Sequence, residues 1–226
     1  MYILLISCLI IVVLYLFNKR EESQIFEQET PISRGETSEL RAVFELRKEG
    51  INPKAIFHNL YIRKRNGEYT QVDIAVATRV GILVFEVKDY SGWIFGNEHQ
   101  RYWTQVLAYG KEKNHFYNPI KQNLGHIRTI RQRLRNNPDI PIYSIIVFYG
   151  ECTLKNITCK DDNTFIIYSH SIREVVSQIL KRPDANFGDK HEIMNLFTES
   201  VQNGNNPQIT SSQVDTASYY NNQNIY

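Results

Sequence analysis

The sequence predicts an α/β domain with a central mixed sheet flanked by helices. Segments with helix and strand patterns follow one another between Ser33 and Arg182 in the order helix, strands, helix, strand, strand, helix. Hydrophobic residues make up 42% and aromatic residues 12% of the 226 residues, which suffices for a packed core. The formal net charge is only +2, so any basic surface for a nucleic-acid partner must come from local clustering.

The residues before this domain predict a membrane anchor and a tether. Tyr2 to Phe17 is apolar except for Ser7, and Asn18-Lys19-Arg20 follows it. As a helix this run spans about 24 Å, close to the ~30 Å hydrocarbon core of a bilayer. We therefore expect a single transmembrane helix at residues 1–18, a polar tether at 19–32 and, by the positive-inside rule, a cytoplasmic domain. A buried helix of a soluble fold is the alternative, and the charge order argues against a cleaved signal peptide.

Each helix and strand of the domain has its own sequence signal. Ser33-Arg-Gly-Glu36 has the spacing of a capping box and predicts a helix to about Glu49. Asn118-Pro119 predicts a second helix to about Arg135, because asparagine caps helices and proline fits their first position. Five apolar segments rich in β-branched residues predict strands, and one amphipathic segment predicts a last helix: strands at Ala55 to Ile62, Val72 to Ala77, Ile82 to Lys88, Ile142 to Tyr149 and Thr164 to Tyr168, and a helix at Ser171 to Leu180.

The C-terminal part of the chain is predicted to be a disordered tail. Residues 183–226 are polar, and Gln202 to Tyr226 is rich in Asn, Gln and Ser without an apolar period. The domain is therefore predicted to span residues 33–182. The three cysteines have spacings that fit neither a disulfide framework nor a zinc site, which favours a reducing compartment.

Charged residues lie in two predicted strands that otherwise look buried. Glu86 and Lys88 share one face with Val84, because side chains alternate along a strand. A solvated pair at a strand end is one interpretation, and a buried pair with a function is the other. Asp73 lies in the preceding strand and approaches Glu86 if the two strands form a hairpin. Two close carboxylates repel unless a cation lies between them, and Mg²⁺ favours such oxygen ligands.

The two longer predicted helices add polar residues to this set. Glu36 and Glu39 fall on the apolar stripe of the first helix, where either a metal or catalytic role competes with capping or solvation. Gln122 lies at the edge of the apolar stripe of the second helix. Three arginines on the opposite edge indicate either a solvated face or a line of phosphate contacts: Arg128, Arg131 and Arg135.

This set of residues favours phosphodiester hydrolysis. A metal held by Asp73 and Glu86 polarises a phosphoryl oxygen and lowers the pKa of an attacking water. Lys88 then stabilises the developing charge or orients that water.

The ordered motifs resemble the nuclease-related domain family, NERD. The matching segments are Gly35-Glu36-xx-Glu39, Gln71-Val-Asp73, Gly81-Ile-Leu-Val-Phe-Glu86-Val-Lys88, Tyr90-Ser-Gly-Trp93, Trp103 and Asn118-Pro-Ile-Lys-Gln122-Asn123. The resemblance implies the restriction-endonuclease-like PD-(D/E)XK fold, with Asp73, Glu86 and Lys88 as its D…ExK signature and Glu36 or Glu39 as the acid from the first helix. Gln122 is similar to the glutamine of RecB-like nucleases. His126 stands where those nucleases have tyrosine, and no proline precedes Asp73.

We therefore expect a membrane-anchored, metal-dependent nuclease that hydrolyses phosphodiester bonds, with DNA as the expected substrate and Mg²⁺ or Mn²⁺ as cofactor. The expected metal ligands are Asp73, Glu86 and Glu36. The expected catalytic set is Asp73, Glu86, Lys88, Glu36, Glu39 and Gln122, and the expected nucleic-acid contacts are Arg128, Arg131 and Arg135. The alternative is a nucleic-acid-binding or scaffolding protein with little or no catalysis. The intact acid-acid-lysine set favours the enzyme.

Overall fold

The fold is taken from a computed structural model of the chain, which describes residues 34–211. The predicted anchor, the tether and the capping residue Ser33 lie outside the described residues. Within residues 34–211 no helix is both long enough and apolar enough to cross a bilayer.

The described chain consists of one helix, six strands, a second helix, three more strands and two final helices. The helices are α1 (Arg34–Lys48), α2 (Pro119–Arg133), α3 (Ile172–Leu180) and α4 (Lys190–Asn203). The strands are β1 (Ile56–Arg63), β2 (Tyr69–Thr78), β3 (Gly81–Asp89), β4 (Gly92–Asn97), β5 (Tyr102–Leu107), β6 (Glu112–Tyr117), β7 (Ile142–Tyr149), β8 (Cys152–Thr158) and β9 (Thr164–Tyr168). Short 3₁₀ turns lie at Pro53–Ala55, Ala108–Gly110 and Ser169–Ser171.

Two mixed sheets organise the strands of the described chain. The larger sheet has the order β1-β2-β3-β7-β9, in which β1, β2 and β3 are antiparallel and β7 and β9 run parallel to β3. The smaller sheet has the order β6-β5-β4-β8, with β8 parallel to β4. The predicted α/β class with a mixed sheet and flanking helices is confirmed. The smaller sheet was not predicted, because its edge strand β6 is exposed along most of its length and has no apolar period.

Helices cover both faces of the larger sheet. One apolar cluster packs α1 and α3 against one face and includes Ala42, Leu46, Phe85, Val147 and Val176. A second cluster packs α2 and α4 against the opposite face and includes Val84, Ile127, Ile130, Leu196 and Phe197. The strand β3 is therefore buried on both sides, and a charged residue on it needs a partner.

Helix α2 begins as the sequence predicts. The side-chain oxygen of Asn118 accepts hydrogen bonds from the N–H groups of Ile120 and Lys121, and Pro119 occupies the first helical position. The side-chain nitrogen of Asn118 donates to the carbonyl of Gln100 at 2.7 Å. This cap therefore fixes α2 against the loop between β4 and β5.

The packed domain extends beyond Arg182. Helix α4 is capped by Asp189, whose side chain accepts the N–H of His191. Its residues Ile193, Leu196 and Phe197 are buried, and the ring of Phe197 lies 5.3 Å from that of Phe57 on β1. The prediction of a disordered tail from residue 183 is therefore wrong for residues 190–203. The short apolar stripe of α4 lies within a polar sequence that conceals it.

Candidate active site

Asp73 lies where the regular pairing of β2 with β3 ends. The ladder between β2 and β3 runs from Thr78 opposite Gly81 to Ile74 opposite Phe85. Beyond this ladder, Oδ2 of Asp73 accepts a hydrogen bond from the N–H of Val87 at 2.8 Å. On the other side, β1 is irregular at Asn59, whose φ is +56°. Asp73 thus lies just beyond the regular β2–β3 ladder, and its carboxylate is held beside β3.

Glu86 is a buried carboxylate with a basic group at each oxygen. Its side chain is only 1% exposed, and Oε1 lies 2.6 Å from Nζ of Lys88. The other oxygen, Oε2, lies 3.2 Å from Nε2 of His126. Burial alone raises the pKa of Glu86, but the charge of Lys88 and the hydrogen bond with His126 outweigh burial and leave the pKa below its ordinary value.

Lys88 connects Glu86 to helix α2. Its Nζ donates a hydrogen bond to Oε1 of Gln122 at 3.2 Å in addition to its pairing with Glu86. Burial acts to lower the pKa of Lys88, but the charges of Glu86, Tyr90 and Asp73 and the hydrogen bond with Glu86 together outweigh burial and raise the pKa above its ordinary value. Lys88 is therefore a cation at neutral pH, suited to stabilise negative charge rather than to accept a proton.

The surroundings of Asp73 disfavour its ionised form. Burial raises its pKa well above the ordinary value, and the charges of Glu86 and Glu39 raise it further. The charge of Lys88 and the hydrogen bond from Val87 act in the opposite direction without compensating. Asp73 therefore favours a bound proton or a nearby cation over the bare carboxylate.

The first helix brings Glu39 to this group. Glu39 is 9% exposed, and its Oε2 lies 2.8 Å from Nε2 of His58 on β1. Glu36 lies one turn earlier, is exposed, and contributes to raising the pKa of Tyr61 after burial and Glu39. Of the two acids that the sequence left as alternatives, Glu39 is the one whose charge acts on Asp73.

The donor chemistry of this group fits a hard divalent cation. Asp73 and Glu86 offer carboxylate oxygens, and a cation relieves the repulsion that raises the pKa of Asp73. Across residues 34–211, however, no three Asp, Glu, His or Cys side chains converge closely enough to form a ready-made metal site. Lys88 and His126 each engage one oxygen of Glu86, so a cation would either use a lone pair that these contacts leave or displace one of them.

His126 is a site residue whose contacts the sequence did not reveal. It is buried, and its Nδ1 lies 2.9 Å from the hydroxyl oxygen of Thr70 on β2. Nε2 contacts Glu86, so Thr70, His126 and Glu86 form a chain from β2 through α2 to β3. The available signal was its spacing, four residues after Gln122 on the same helix edge.

A large cleft opens beside these residues. Its volume is about 1180 Å³, and its wall includes Lys88, Gln122 and His126 but neither Asp73 nor Glu86. The acids therefore lie behind Lys88 and His126. The rest of the wall is basic and aromatic and includes Lys64, Arg65, Tyr90, Arg101, Phe116, Tyr117, Lys121 and Arg128. Of the predicted arginine line, Arg128 faces this cleft, whereas Arg131 and Arg135 line an adjoining depression.

Asp73→Asn is expected to stabilise the metal-free protein by about 1 kcal/mol at pH 8. The amide oxygen still accepts the N–H of Val87, and the repelled charge is gone. A raised native pKa means that ionised Asp73 destabilises the fold fully above that pKa and not at all below the unfolded value of about 3.9. Urea unfolding in EDTA should show a gain that shrinks as the pH falls. An equal or lower stability at pH 8 contradicts this electrostatic assignment.

Comparison with known proteins identifies the family. The family model of the nuclease-related domain matches residues 34–149, just over half of the chain. An uncharacterized protein of Bacillus anthracis is 30% identical over 128 residues, which cover 56% of this chain and 58% of that protein, so the chain spans less than two thirds of this relative. No solved structure shows significant similarity. The matched range contains every residue of the site from Glu39 to His126, and the chain belongs to the nuclease-related domain (NERD) family.

Proposed function

We propose that the protein is a metal-dependent nuclease with a restriction-endonuclease-like PD-(D/E)XK fold, which hydrolyses phosphodiester bonds, with DNA as the expected substrate. The observation that carries this proposal is the buried pair of Glu86 and Lys88, 2.6 Å apart, beside Asp73 with its raised pKa. A buried charge cluster next to a basic cleft is more typical of a reaction site than of a structural core.

Each residue has a role in the proposed reaction. A bound Mg²⁺ or Mn²⁺ would be held by Asp73, Glu86 and Glu39. In this set Glu39 replaces Glu36, which the sequence suggested as the third ligand. When bound, the cation would polarise the phosphoryl group and favour ionisation of the attacking water. Lys88 presents a positive charge to the cleft for a phosphoryl oxygen, and Gln122 fixes the direction of its ammonium group by accepting a hydrogen bond. Arg128, Arg131 and Arg135 would contact the phosphate backbone.

His126 and Thr70 position Glu86 in this proposal. When Nε2 of His126 donates to Glu86, its Nδ1 accepts from the hydroxyl of Thr70, so both ring nitrogens are satisfied. Thr70 thus orients the imidazole of His126, and His126 in turn orients Glu86. Hydrogen-bond partners of this kind commonly orient the carboxylates that bind a metal.

A nucleic-acid-binding protein with little or no catalysis is the second candidate. It is favoured by one observation: both oxygens of Glu86 are engaged by Lys88 and His126. In that case the cluster is a closed structural ion pair and the basic cleft alone provides the function.

A cleavage assay tests the proposal. The purified full chain is incubated with circular DNA, linear DNA and RNA in Mg²⁺, in Mn²⁺ and in EDTA. Cleavage of at least one substrate in metal but not in EDTA is expected. A preparation that binds these substrates without cutting any of them in either metal supports the second candidate.

The position of the domain relative to a membrane is a further part of the proposal. We propose that residues 2–17 anchor the chain and that the domain lies in the cytoplasm, because positive charge follows the apolar run. In intact cells the domain should resist added protease and become sensitive after lysis. Digestion in intact cells contradicts the proposed orientation, and release of the full chain in the absence of detergent contradicts the anchor.

A further inference from the structure

A second depression adjoins the cleft, between the turn that joins β1 to β2 and the C-terminal end of α2. Its volume is about 690 Å³. Lys64, Arg65 and Gln132 line both spaces, so the two are continuous. Six basic residues and no acidic residue line this depression, which we name the basic basin: Arg63, Lys64, Arg65, Arg131, Arg133 and Arg135. The contribution of the β1–β2 turn cannot be read from the helix pattern of α2.

Part of this positive charge is not neutralised. Lys64 pairs with Glu68 at 3.5 Å, and Arg133 pairs with Glu199 at 3.7 Å. By contrast, Arg63, Arg65 and Arg135 are exposed, and among residues 34–211 no side chain forms a hydrogen bond or ion pair with their guanidinium groups. Guanidinium groups that converge on one concave surface attract anions and favour phosphate through paired N–H donors.

Backbone hydrogen bonds close the β1–β2 turn, which carries Arg63 and Arg65, before any ligand binds. The N–H of Lys64 donates to the carbonyl of Glu68 at 2.7 Å, and the N–H of Gly67 donates to the carbonyl of Lys64 at 3.2 Å. Gly67 has a φ of +90°, a conformation that other residues rarely adopt. A turn closed in this way loses little backbone freedom when an anion binds.

The basin lies along α2 from the proposed reaction site. The helix presents Gln122, His126, Arg128 and Gln132 to the cleft in succession, and Arg131 to the basin. From Gln122 to Arg131 the helix rises about 14 Å at ~1.5 Å per residue. A nucleic-acid strand advances ~3.4 Å per phosphate in a duplex, so the basin lies about four phosphates from Lys88.

We infer that the basic basin binds the sugar-phosphate backbone of a polynucleotide about four nucleotides from the reacting phosphate. This inference rests on the proposed function, because it extends the same substrate path. It makes long strands the preferred ligands, whereas short oligonucleotides that reach only the cleft gain nothing from the basin. The contacts are to phosphates, so they add affinity without sequence preference.

Binding of labelled single strands tests this inference without any cleavage. Fluorescein-labelled oligodeoxyadenylates of 3 and 12 nucleotides, whose bases stack at close to the duplex spacing, are titrated with the full chain in EDTA, at several salt concentrations. The variant Arg63→Gln/Arg135→Gln alters two arginines that line the basin but not the cleft. It should bind the 12-mer at least about tenfold more weakly, with a log–log salt slope lower by about 1.4, which is ~0.7 for each lost phosphate contact. Binding of the 3-mer should not change.

A matched control removes the same charge elsewhere. Lys160→Gln/Lys181→Gln alters two exposed residues that line neither the cleft nor the basin, and it should bind both strands like the wild type. An unchanged salt slope in the arginine variant, an equal loss for both lengths, or a wild-type protein that binds neither strand overturns the inference. A wild type that shows the expected length and salt dependence but cuts nothing in Mg²⁺ retains the basin and loses only the proposed nuclease function.

Discussion

Glu86→Gln is expected to reduce the rate of cleavage by at least about 10²- to 10³-fold. The amide keeps the size of the side chain, and its oxygen still accepts the hydrogen bond from Lys88. Its NH₂ group can donate to Nε2 of His126 once that imidazole adopts the other tautomer. The fold is thus retained, but the negative charge that a cation requires is gone.

Single-turnover cleavage of a labelled DNA, with a thermal unfolding curve for each protein, measures this effect. Glu174→Gln is the matched control, since Glu174 is an exposed acid on α3, away from the cleft. The control should cleave like the wild type. A folded Glu86→Gln protein that also cleaves like the wild type excludes Glu86 from the reaction.

Lys88→Met is expected to lower the free energy of unfolding by about 3 kcal/mol at pH 7.5, because it leaves a buried carboxylate without its main partner. Glu86 is 1% exposed and would retain only His126. In the wild type, the lowered pKa of Glu86 stabilises the fold above the unfolded pKa and the stabilisation is lost as the pH falls through the native pKa. In the variant, burial acts with less opposition and raises the native pKa, so the deficit should shrink at pH 5.

Urea unfolding of four proteins measures the interaction energy between Glu86 and Lys88 apart from the effect of each single substitution. The four are the wild type, Lys88→Met, Glu86→Gln and the double variant. We expect the double variant to be more stable than Lys88→Met alone, because no unpaired charge remains buried. If Lys88→Met unfolds at the wild-type urea concentration at both pH values, the ion pair with Glu86 does not stabilise the fold. The charges in β3 would then be dispensable for the fold.

The sequence predicts the larger sheet well because its strands have strong local signals. β7 and β9 begin and end as predicted, at Ile142–Tyr149 and Thr164–Tyr168, since both are β-branched, apolar segments. The smaller sheet and α4 escape prediction for a common reason. β6 is exposed, and α4 buries a stripe too short to stand out from its polar neighbours. Tertiary packing rather than local pattern forms these elements.

The central residues of the site can be predicted from the sequence, because they are charged residues in otherwise apolar strands. Asp73, Glu86 and Lys88 are conspicuous for this reason, and the structure brings them together with Gln122. The choice between Glu36 and Glu39 depends on a contact with His58 and on the charge interaction of Glu39 with Asp73, both of which join separate elements. The direction of the pKa shift of Lys88 likewise depends on the distance to Glu86, and the basic basin depends on a turn meeting the end of α2. These contacts and distances join separate segments, so no single segment of the sequence predicts them.

Binding of Mn²⁺ at pH 8 tests most directly whether the carboxylate cluster is a metal site. Calorimetric titration of the metal-free full chain should show one site whose affinity falls at least about tenfold in Asp73→Asn. The affinity should fall as the pH is lowered, because the raised pKa of Asp73 makes protons compete with the cation. Glu174→Gln should bind like the wild type. If Asp73→Asn binds Mn²⁺ as tightly as the wild type, or if the wild type binds none, the cluster is not a metal site and the account of a metal-dependent nuclease is wrong.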